Sequence, residues 1–421
     1  MKLEFPAIKS IALISLLWNS SLCLLAQNKT TLTFYEDIQP IIYQNCTPCH
    51  QPGKAGPFNL ITYQEVANKA DFIVYVTKTR YMPPWQADPT YQTYLNERLL
   101  SNDEISKIQL WVAQGKEAGD SNDGKTIEAI PEGPYPAREP DLSFSMQQPY
   151  VISNTNRDDY RFFNIPTNLP EDTYLEAIEF IPGNKRLVHH SRVMTDTSHM
   201  VRNIEGLSAN DSAIWQFNKY PPLDRFLYGW VPGNFPIFFP KGSGKKINKD
   251  VDLILNIHYA PSSVEEEDLS TINLYLAKGE IEKEVKTITV TEEFIVNRQF
   301  FIPKNTKPYF EAVYPIESNI EVIAVNPHMH YLGANFKAFA VTPDKKEIPL
   351  IKIDKWDFNW QTTYQFKELV EIPKGSLLTV QATFDNTAGN PANPTFPPKD
   401  VTYGWNTTSE MLNLILYYLE K

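Results

Sequence analysis

Short apolar runs separated by Pro, Gly and Asn clusters make up most of the chain from about residue 145 to its end. Some runs alternate with polar residues and others are continuous, as in YRFFNI, VDLILNIHYA, LLTVQATF and MLNLILYYLE. Both patterns are typical of β-strands that are buried on one face or on two. They predict an all-β unit of about 270 residues, which is long enough for two sandwiches.

A different pattern over residues 30–120 predicts a small all-α domain. Thr62 with Glu65, and Ser101 with Glu104, have the spacing of capping boxes at helix starts. The second box is followed by a helical face and a stop signal, formed by Ile105, Ile108, Trp111, Val112 and Gly115.

Length and composition bound the organisation of the chain. A length of 421 residues argues for two or three domains, and residues 121–144 are polar and rich in Pro and Gly, as a linker is. A flexible linker of about 25 residues would let the two units dock transiently. The net charge of −11 and the lack of a Lys/Arg block argue against nucleic acid as a partner.

Residues 1–26 have the features of a secretory signal peptide. Two lysines precede an apolar run, and cleavage is expected near Ala26. The protein is therefore expected to be exported, to a periplasm or a cell surface, and no later apolar run is long enough to span a bilayer. A lipid anchor at Cys23 is the alternative, but Leu22 stands where such sites usually have a small residue.

The motif C-x-x-C-H is formed by Cys46, Cys49 and His50, and these are the only cysteines left once the signal is removed. A short disulfide or a redox dithiol is one reading, but it leaves the following histidine without a role. Covalent haem needs two thiols for its vinyl groups and an imidazole for iron. The motif therefore predicts one covalent haem c.

Met82 lies in the segment RYMPPW, where two prolines exclude helix and fix the local backbone. A lone Met is often core filler, yet a thioether held on a stiff loop suits the sixth position of a haem iron. Together these features resemble a class I c-type cytochrome domain, and the resemblance implies His50 and Met82 as axial ligands.

The histidines outside this motif are few and clustered. Of the remaining six, only His199 stands apart from the three clusters. Residues i and i+2 of a strand share a face, so two of the clustered histidines can converge on one ion, whereas an adjacent pair needs a strand end or a bulge. Such imidazole ligands suit copper or zinc, although a lone His on a strand is more often a satisfied residue. The clusters are His189 with His190, His258, and His328 with His330.

The three clusters in this order, followed by GWNTTSEMLNLILYYLE, resemble the copper type II ascorbate-dependent monooxygenases, the family of peptidylglycine alpha-hydroxylating and dopamine beta-monooxygenases. The resemblance covers about residues 150–421 and includes LYGWVPGNFPIFFPKGSG. It implies two antiparallel jelly-roll sandwiches, over residues 145–285 and 286–421, with two coppers facing across a cleft.

The resemblance also implies the ligand sets. The first copper falls on His189, His190 and His258, and stores the second electron. The second falls on His328, His330 and Met411, where dioxygen binds and hydrogen is abstracted from a substrate carbon; a soft thioether favours Cu(I). The alternative is that Met411 is an ordinary core residue and not a ligand, because its segment is apolar on both faces.

Differences between this sequence and the family limit which substrates are expected. Ser191 stands where the family has Met, and the β unit has no cysteine for the family's disulfides. Peptide-amidating relatives hold a substrate carboxylate with an Arg and a Tyr, but Asn326 and Ile415 occupy those positions. Only Asn413 is retained as a candidate substrate contact, which argues against a peptide ending in glycine.

The sequence hypothesis is an exported haem and copper monooxygenase that hydroxylates a C–H bond of a small organic molecule with dioxygen. Electrons would reach the dicopper site from the c-type haem, supplied by a donor protein or an ascorbate-like reductant. Two alternatives remain: a non-catalytic haem and copper electron-transfer or copper-binding protein, and a carbohydrate-binding sandwich fused to a cytochrome.

Overall fold

The computed structural model describes most of the chain, and the signal peptide, Ala26, Cys23 and most of the linker lie outside the described residues. The described residues are 31–54, 56–95, 97–121, 138–209, 211–214 and 226–421.

The described residues of the N-terminal part form three α-helices: α1 (Gln39–Asn45), which follows a π-helical turn at Phe34–Ile38, α2 (Tyr63–Lys78) and α3 (Asn102–Ala113). Both predicted capping boxes are present, at the starts of α2 and α3. A compact apolar cluster holds the helices together, and no helix among the described residues is long and apolar enough to cross a membrane. That cluster includes Phe34, Ile38, Ile42, Val66, Ile73, Ile108 and Trp111.

The first β unit contains thirteen strands among the described residues. They are β1 (Leu142–Ser145), β2 (Tyr150–Ile152), β3 (Asp159–Pro166), β4 (Thr173–Ile181), β5 (Val188–Asp196), β6 (Leu207–Ser208), β7 (Phe226–Trp230), β8 (Ile237–Phe238), β9 (Ser243–Ile247), β10 (Asp252–Tyr259), β11 (Glu266–Asp268), β12 (Thr271–Leu276) and β13 (Lys283–Glu284).

These strands form two main sheets. One has the order β1, β12, β4, β9, β13 with β8 paired to β4, the other has the order β6, β3, β10, β5, β7, and β2 pairs with β11 separately. Phe180 and Leu274 of the first sheet share a core with Val193 and Leu255 of the second.

The second β unit contains β14 (Lys286–Val290), β15 (Tyr309–Pro315), β16 (Ile320–His328), β17 (Gly333–Val341), β18 (Glu347–Ile353), β19 (Tyr364–Ile372), β20 (Leu377–Phe384) and β21 (Asn413–Glu420). Its sheets have the orders β14, β21, β16, β19 and β15, β20, β17, β18. The predominantly β class with a few helices agrees with the sequence analysis, whereas the jelly-roll connectivity stays a prediction.

Strand β21 packs into both β units at once. Leu414 and Leu416 lie in the core of the second unit, while Ile415 and Tyr417 lie in the core of the first. Successive side chains of a strand point to opposite faces, so a strand that is apolar at every position can serve two cores. The two units are therefore packed together through a shared sheet.

The segment after α2 packs against the second β unit. Ala87 and Tyr94 belong to that unit's core, and isolated bridges pair them with Ile353 and Phe366. The Tyr94 hydroxyl donates to the carbonyl of Leu350 at 2.8 Å. The helical unit is thus packed against the β units, where the linker had suggested transient docking.

Tyr94→Ala should lower the free energy of unfolding by about 3 kcal/mol or more, because it empties a fully buried aromatic site. Tyr75→Ala is the matched control, since the Tyr75 ring on α2 is 65% exposed and should change stability little. Denaturant unfolding of both variants measures the difference. Equal small effects would show that the segment around Tyr94 is not part of the second core.

Candidate metal centre

The first histidine set lies on two paired strands of the first β unit. His258 of β10 pairs with His190 of β5, and the next register pair, Tyr259 with Val188, skips His189. His189 is therefore the extra residue of a β-bulge, the feature that an adjacent histidine pair requires to face one ion.

The ligand atoms of these three histidines lie within 4.8 Å of one another. The Nδ1 atoms of His189 and His190 are 3.2 Å apart, and Nδ1 of His258 is buried without a hydrogen-bond partner. The three rings thus bring their ligand atoms close enough together to share one ion, as metal ligands do.

The outer ring nitrogens of this set have polar partners. His258 Nε2 lies 2.7 Å from Asp158 Oδ1, and His189 Nε2 lies 3.1 Å from Asn359 Oδ1. A histidine that donates from Nε2 keeps its lone pair on Nδ1, so these contacts leave the Nδ1 atoms free to bind a metal.

Electrostatics keep this set neutral. Burial, followed by the neighbouring histidines, lowers the pKa of His190 and of His258 well below the usual value. Burial also raises the pKa of Asp158, against the effect of His189. Neutral imidazole is the form that binds a metal.

The second histidine set lies at the end of β16. His328 is the last residue of the strand, Met329 is fully buried in the core, and His330 follows with its ring 5.2 Å from that of His328. His330 Nδ1 lies 2.9 Å from the carbonyl oxygen of Ser409, which fixes the orientation of the ring. Burial lowers the pKa of His330 to about 4.

Met411 lies close to this second set in the sheet. His328 pairs with Asn413 of β21, and Met411 precedes Asn413 by two residues. The Met411 side chain is buried, and its sulfur lies 3.7 Å from Asn413 Nδ2 and 4.0 Å from Arg192 Nη1.

Glu410 connects the segment after β16 with the segment before β21. The sequence analysis did not predict this role. Its carboxyl accepts backbone N–H groups of His330 at 2.8 Å, Leu332 at 2.6 Å and Met411 at 3.3 Å. Burial raises its pKa to about 8. An acidic residue just before an apolar strand was the only signal for this role in the sequence.

The two histidine sets adjoin each other across the boundary between the β units. The rings of His190 and His328 are 6.5 Å apart, and the Phe358 ring lies 5.5 Å from His189, 5.8 Å from His190, 6.1 Å from His258 and 6.0 Å from His330. The sets therefore form one continuous cluster, where the resemblance had implied metals facing across a cleft. His199 lies apart, beside Asp252.

A second site lies in the helical part. A cavity of about 510 Å³ is lined by Cys46, Cys49, His50 and Met82. Both cysteines are free, and burial, with Cys49 nearby, raises the pKa of Cys46 to about 12. The cavity wall is mainly apolar and of a size usual for cofactor sites.

The orientation of His50 suits ligation from this cavity. Its Nδ1 lies 3.0 Å from the carbonyl oxygen of Phe58, which accepts the Nδ1 proton and leaves Nε2 unprotonated. A Cβ at Gly56 would lie 2.7 Å from His50 Nδ1, so the ring needs a glycine beside it.

The β units close one side of the cavity. Pro232, Gly233, Phe235 and Trp360 all line it. A Cβ added at Gly233 would lie 2.9 Å from Cys49 Sγ, and the Arg98 guanidinium donates to the Gly233 carbonyl. The cavity thus lies at the contact between the helical and β parts.

The fold and the histidine clusters define a β protein with two adjoining imidazole sites. Residues 289–421, which carry the second set, match the family described as copper type II ascorbate-dependent monooxygenase, C-terminal domain. This match supports that family, with copper as the metal and monooxygenation as the class of reaction. No curated protein sequence matches the chain significantly.

Solved structures show only remote likeness. The major capsid protein P2 of bacteriophage PM2 is 11% identical over 66% of this chain and 97% of that chain, with a TM-score of 0.28. The VP2 subviral particle of infectious bursal disease virus is 9% identical over 67% and 73%, with a TM-score of 0.18. A two-domain protein from Bacteroides fragilis is 10% identical over 65% and 94%, with a TM-score of 0.16. Scores this low carry no argument.

Asp158→Ala should weaken copper binding at the three-histidine site by about 10- to 100-fold, because the His258 ring loses the partner that orients it. Asp158→Asn should lose less copper affinity, since its side-chain carbonyl can still accept a hydrogen bond from Nε2 of His258. Titration of metal-free protein with copper against a competing chelator measures this. Asp354→Ala, at a 71% exposed side chain, is the control. Unchanged affinity in Asp158→Ala would contradict the role.

Proposed function

We propose that the protein is an exported haem and copper monooxygenase that hydroxylates a C–H bond of a small organic molecule. The overall reaction consumes one dioxygen, two electrons and two protons, and yields the alcohol and water. The observation that supports it best is the turn Phe358–Trp360: Trp360 lines the Cys46–Cys49–His50 cavity while Phe358 contacts both histidine sets.

The residues of the helical cavity fit a covalent haem. Cys46 and Cys49 supply two thiols, His50 offers Nε2, and Met82, which also lines the cavity, offers a thioether. A bound haem would supply one-electron chemistry there. The chain's own contribution is an apolar wall that excludes water.

The residues of the β units fit two copper ions. His189, His190 and His258 would hold one, and His328, His330 and Met411 the other. Copper at these sites would supply the redox chemistry with dioxygen. Asp158, Asn359 and Ser409 orient the rings from behind. Asn413, whose side-chain oxygen is buried without a partner, is a proposed substrate contact.

The turn Phe358–Trp360 links the two regions through three consecutive residues. Phe358 stacks on His189 at 19° between ring planes, Asn359 hydrogen-bonds the same ring, and the Trp360 carbonyl accepts from Gln86 at 2.6 Å. A short path of bonded and packed groups therefore runs from the helical cavity to the first histidine set. We assign the turn as the electron path between them.

Metal content tests the composition of the centre. Purified protein should contain two coppers and one iron, and the haem should stay on the polypeptide in acid acetone because thioether bonds are covalent. Replacing Cys46 and Cys49 by Ala should release the haem and leave copper in place. Met411→Ala should lose about one copper, whereas Met200→Ala, at a 63% exposed side chain, should lose none.

Three results would contradict this assignment. Zinc as the tightly held, activity-supporting metal would remove the redox mechanism. Haem colour in the acetone phase would exclude covalent attachment. Full copper in Met411→Ala would show that its thioether is not a ligand.

Trp360→Leu should slow oxidation of the reduced haem by the copper site, because it removes the aromatic group between the cavity and the turn. Stopped-flow absorbance of reduced protein mixed with dioxygen measures this rate, and haem content and redox potential should not change. Phe235→Leu is the matched control, since Phe235 lines the same cavity but lies outside the turn. Equal rates in wild type and Trp360→Leu would exclude this path.

A further inference from the structure

The side chain of Gln86, in the segment between α2 and α3, clamps the turn that contacts both histidine sets. Its Oε1 accepts the backbone N–H of Asp357 at 2.6 Å. Its Nε2 donates to the carbonyl of Asp357 at 3.0 Å and to the carbonyl of Trp360 at 2.6 Å. A flipped amide would place Nε2 against an N–H donor, so the three hydrogen bonds fix one orientation of the amide. Gln86 therefore holds the turn at both of its ends.

The turn in turn fixes the tautomer of His189 through Asn359. The Asp357 carboxylate accepts the backbone N–H of Asn359 at 3.0 Å and its Nδ2 at 2.8 Å, which directs Oδ1 toward His189 Nε2 at 3.1 Å. An amide oxygen only accepts, so His189 carries its proton on Nε2 and its lone pair on Nδ1. Asn359 is exposed, and water competes for an exposed hydrogen bond. The contact with His189 therefore depends on a turn that is held in place.

The other hydrogen bonds of residues 357–360 are local or reach His189, as far as the described residues show. The Trp360 N–H donates to the Asp357 carbonyl at 3.1 Å, and Gln361 Nε2 donates to the Phe358 carbonyl at 2.8 Å. Local bonds of this kind shape the turn without attaching it to another part of the fold. Apart from the packing of Phe358 against the histidine rings, the attachment comes from Gln86.

The segment that carries the clamp is itself fixed to the second β unit. Ala87 lies in the core of that unit and bridges Ile353. The Asp88 carboxylate pairs with the Lys352 ammonium at 2.9 Å. The same segment carries Met82, which lines the helical cavity. One well-anchored stretch of chain thus runs from the helical cavity to the turn.

We propose that Gln86 is a positioning residue for the first histidine set, which it serves by holding the turn that orients His189 through Asn359. The three-histidine site of the first β unit is then completed by a residue from the segment between α2 and α3. The effect on copper binding rests on the proposed function, whereas the effect on the His189 ring does not.

Gln86→Met tests the role, because it keeps the length of the side chain and removes its amide. In ¹H–¹⁵N spectra of the metal-free full chain, the His189 imidazole should change from the Nε2–H tautomer to a mixture of both. Copper affinity at the three-histidine site, measured against a competing chelator, should fall about tenfold, the low end for residues that orient metal ligands. The electron paramagnetic resonance spectrum of Cu(II) at this site should change as well.

Gln92→Met is the matched control. Gln92 lies in the same segment, and its Nε2 donates to the Pro349 carbonyl of the second β unit at 3.0 Å, away from the turn. This variant should keep the wild-type His189 tautomer and copper affinity. Equal losses in Gln86→Met and Gln92→Met would show a general loosening of the segment and would overturn the positioning role.

A double-mutant cycle decides whether Gln86 acts through Asn359. Asn359→Ala, at an exposed side chain, should lower copper affinity about as much as Gln86→Met, and the double variant should lose no more, since both changes affect one contact. Additive losses would overturn the proposal, as would an unchanged His189 tautomer in Gln86→Met. Wild-type protein that binds no copper would overturn the proposed function, while the imidazole spectra would still decide the role of Gln86.

Discussion

The packing of one sheet into two cores determines the geometry of the metal centre. Val322 of β16 and Leu414 and Leu416 of β21 pack into the second core. Ile323 of β16 and Ile415 and Tyr417 of β21 pack into the first. Each buried apolar side chain of this size contributes about 1.5–3 kcal/mol, so separating the units would lose several such contributions. This packing holds the rings of the two histidine sets within a few ångströms of each other.

The polar partners behind the histidines decide which nitrogen faces the centre. Asp158 engages Nε2 of His258 and Asn359 engages Nε2 of His189, whereas the Ser409 carbonyl engages Nδ1 of His330. The rings of the two sets are therefore oriented by different nitrogens. Because burial keeps the rings neutral, orientation rather than protonation sets what each site can bind.

Local patterns predicted the elements of this structure well. Both capping boxes are found, and the need for a bulge at the adjacent histidine pair followed from the period of two along a strand. The apolar pattern on both faces of the C-terminal strand matches its place between two cores. These features depend on residues close together in sequence, where spacing alone constrains geometry.

Contacts between distant segments could not be predicted in the same way. Phe358 and Glu410 have ordinary local contexts, and their contacts with the histidine sets arise only in the folded chain. The sequence analysis likewise assigned Tyr94 to the helical domain, whereas in the structure its ring lies in the core of the second β unit. A linker composition indicates chain flexibility and gives no information on the surfaces that it joins, so the packed arrangement was not foreseen.

The lack of charge on the candidate ligands determines which oxidation state of copper the centre would favour. Five imidazoles and one thioether are all neutral, and the one carboxyl adjoining the second set, Glu410, has a pKa raised to about 8 by burial. Copper bound to such ligands would keep its full positive charge among buried side chains, and the Arg192 guanidinium adds a further positive charge beside the second set. Neutral, partly soft ligands favour Cu(I) over Cu(II), since the lower charge is easier to bury.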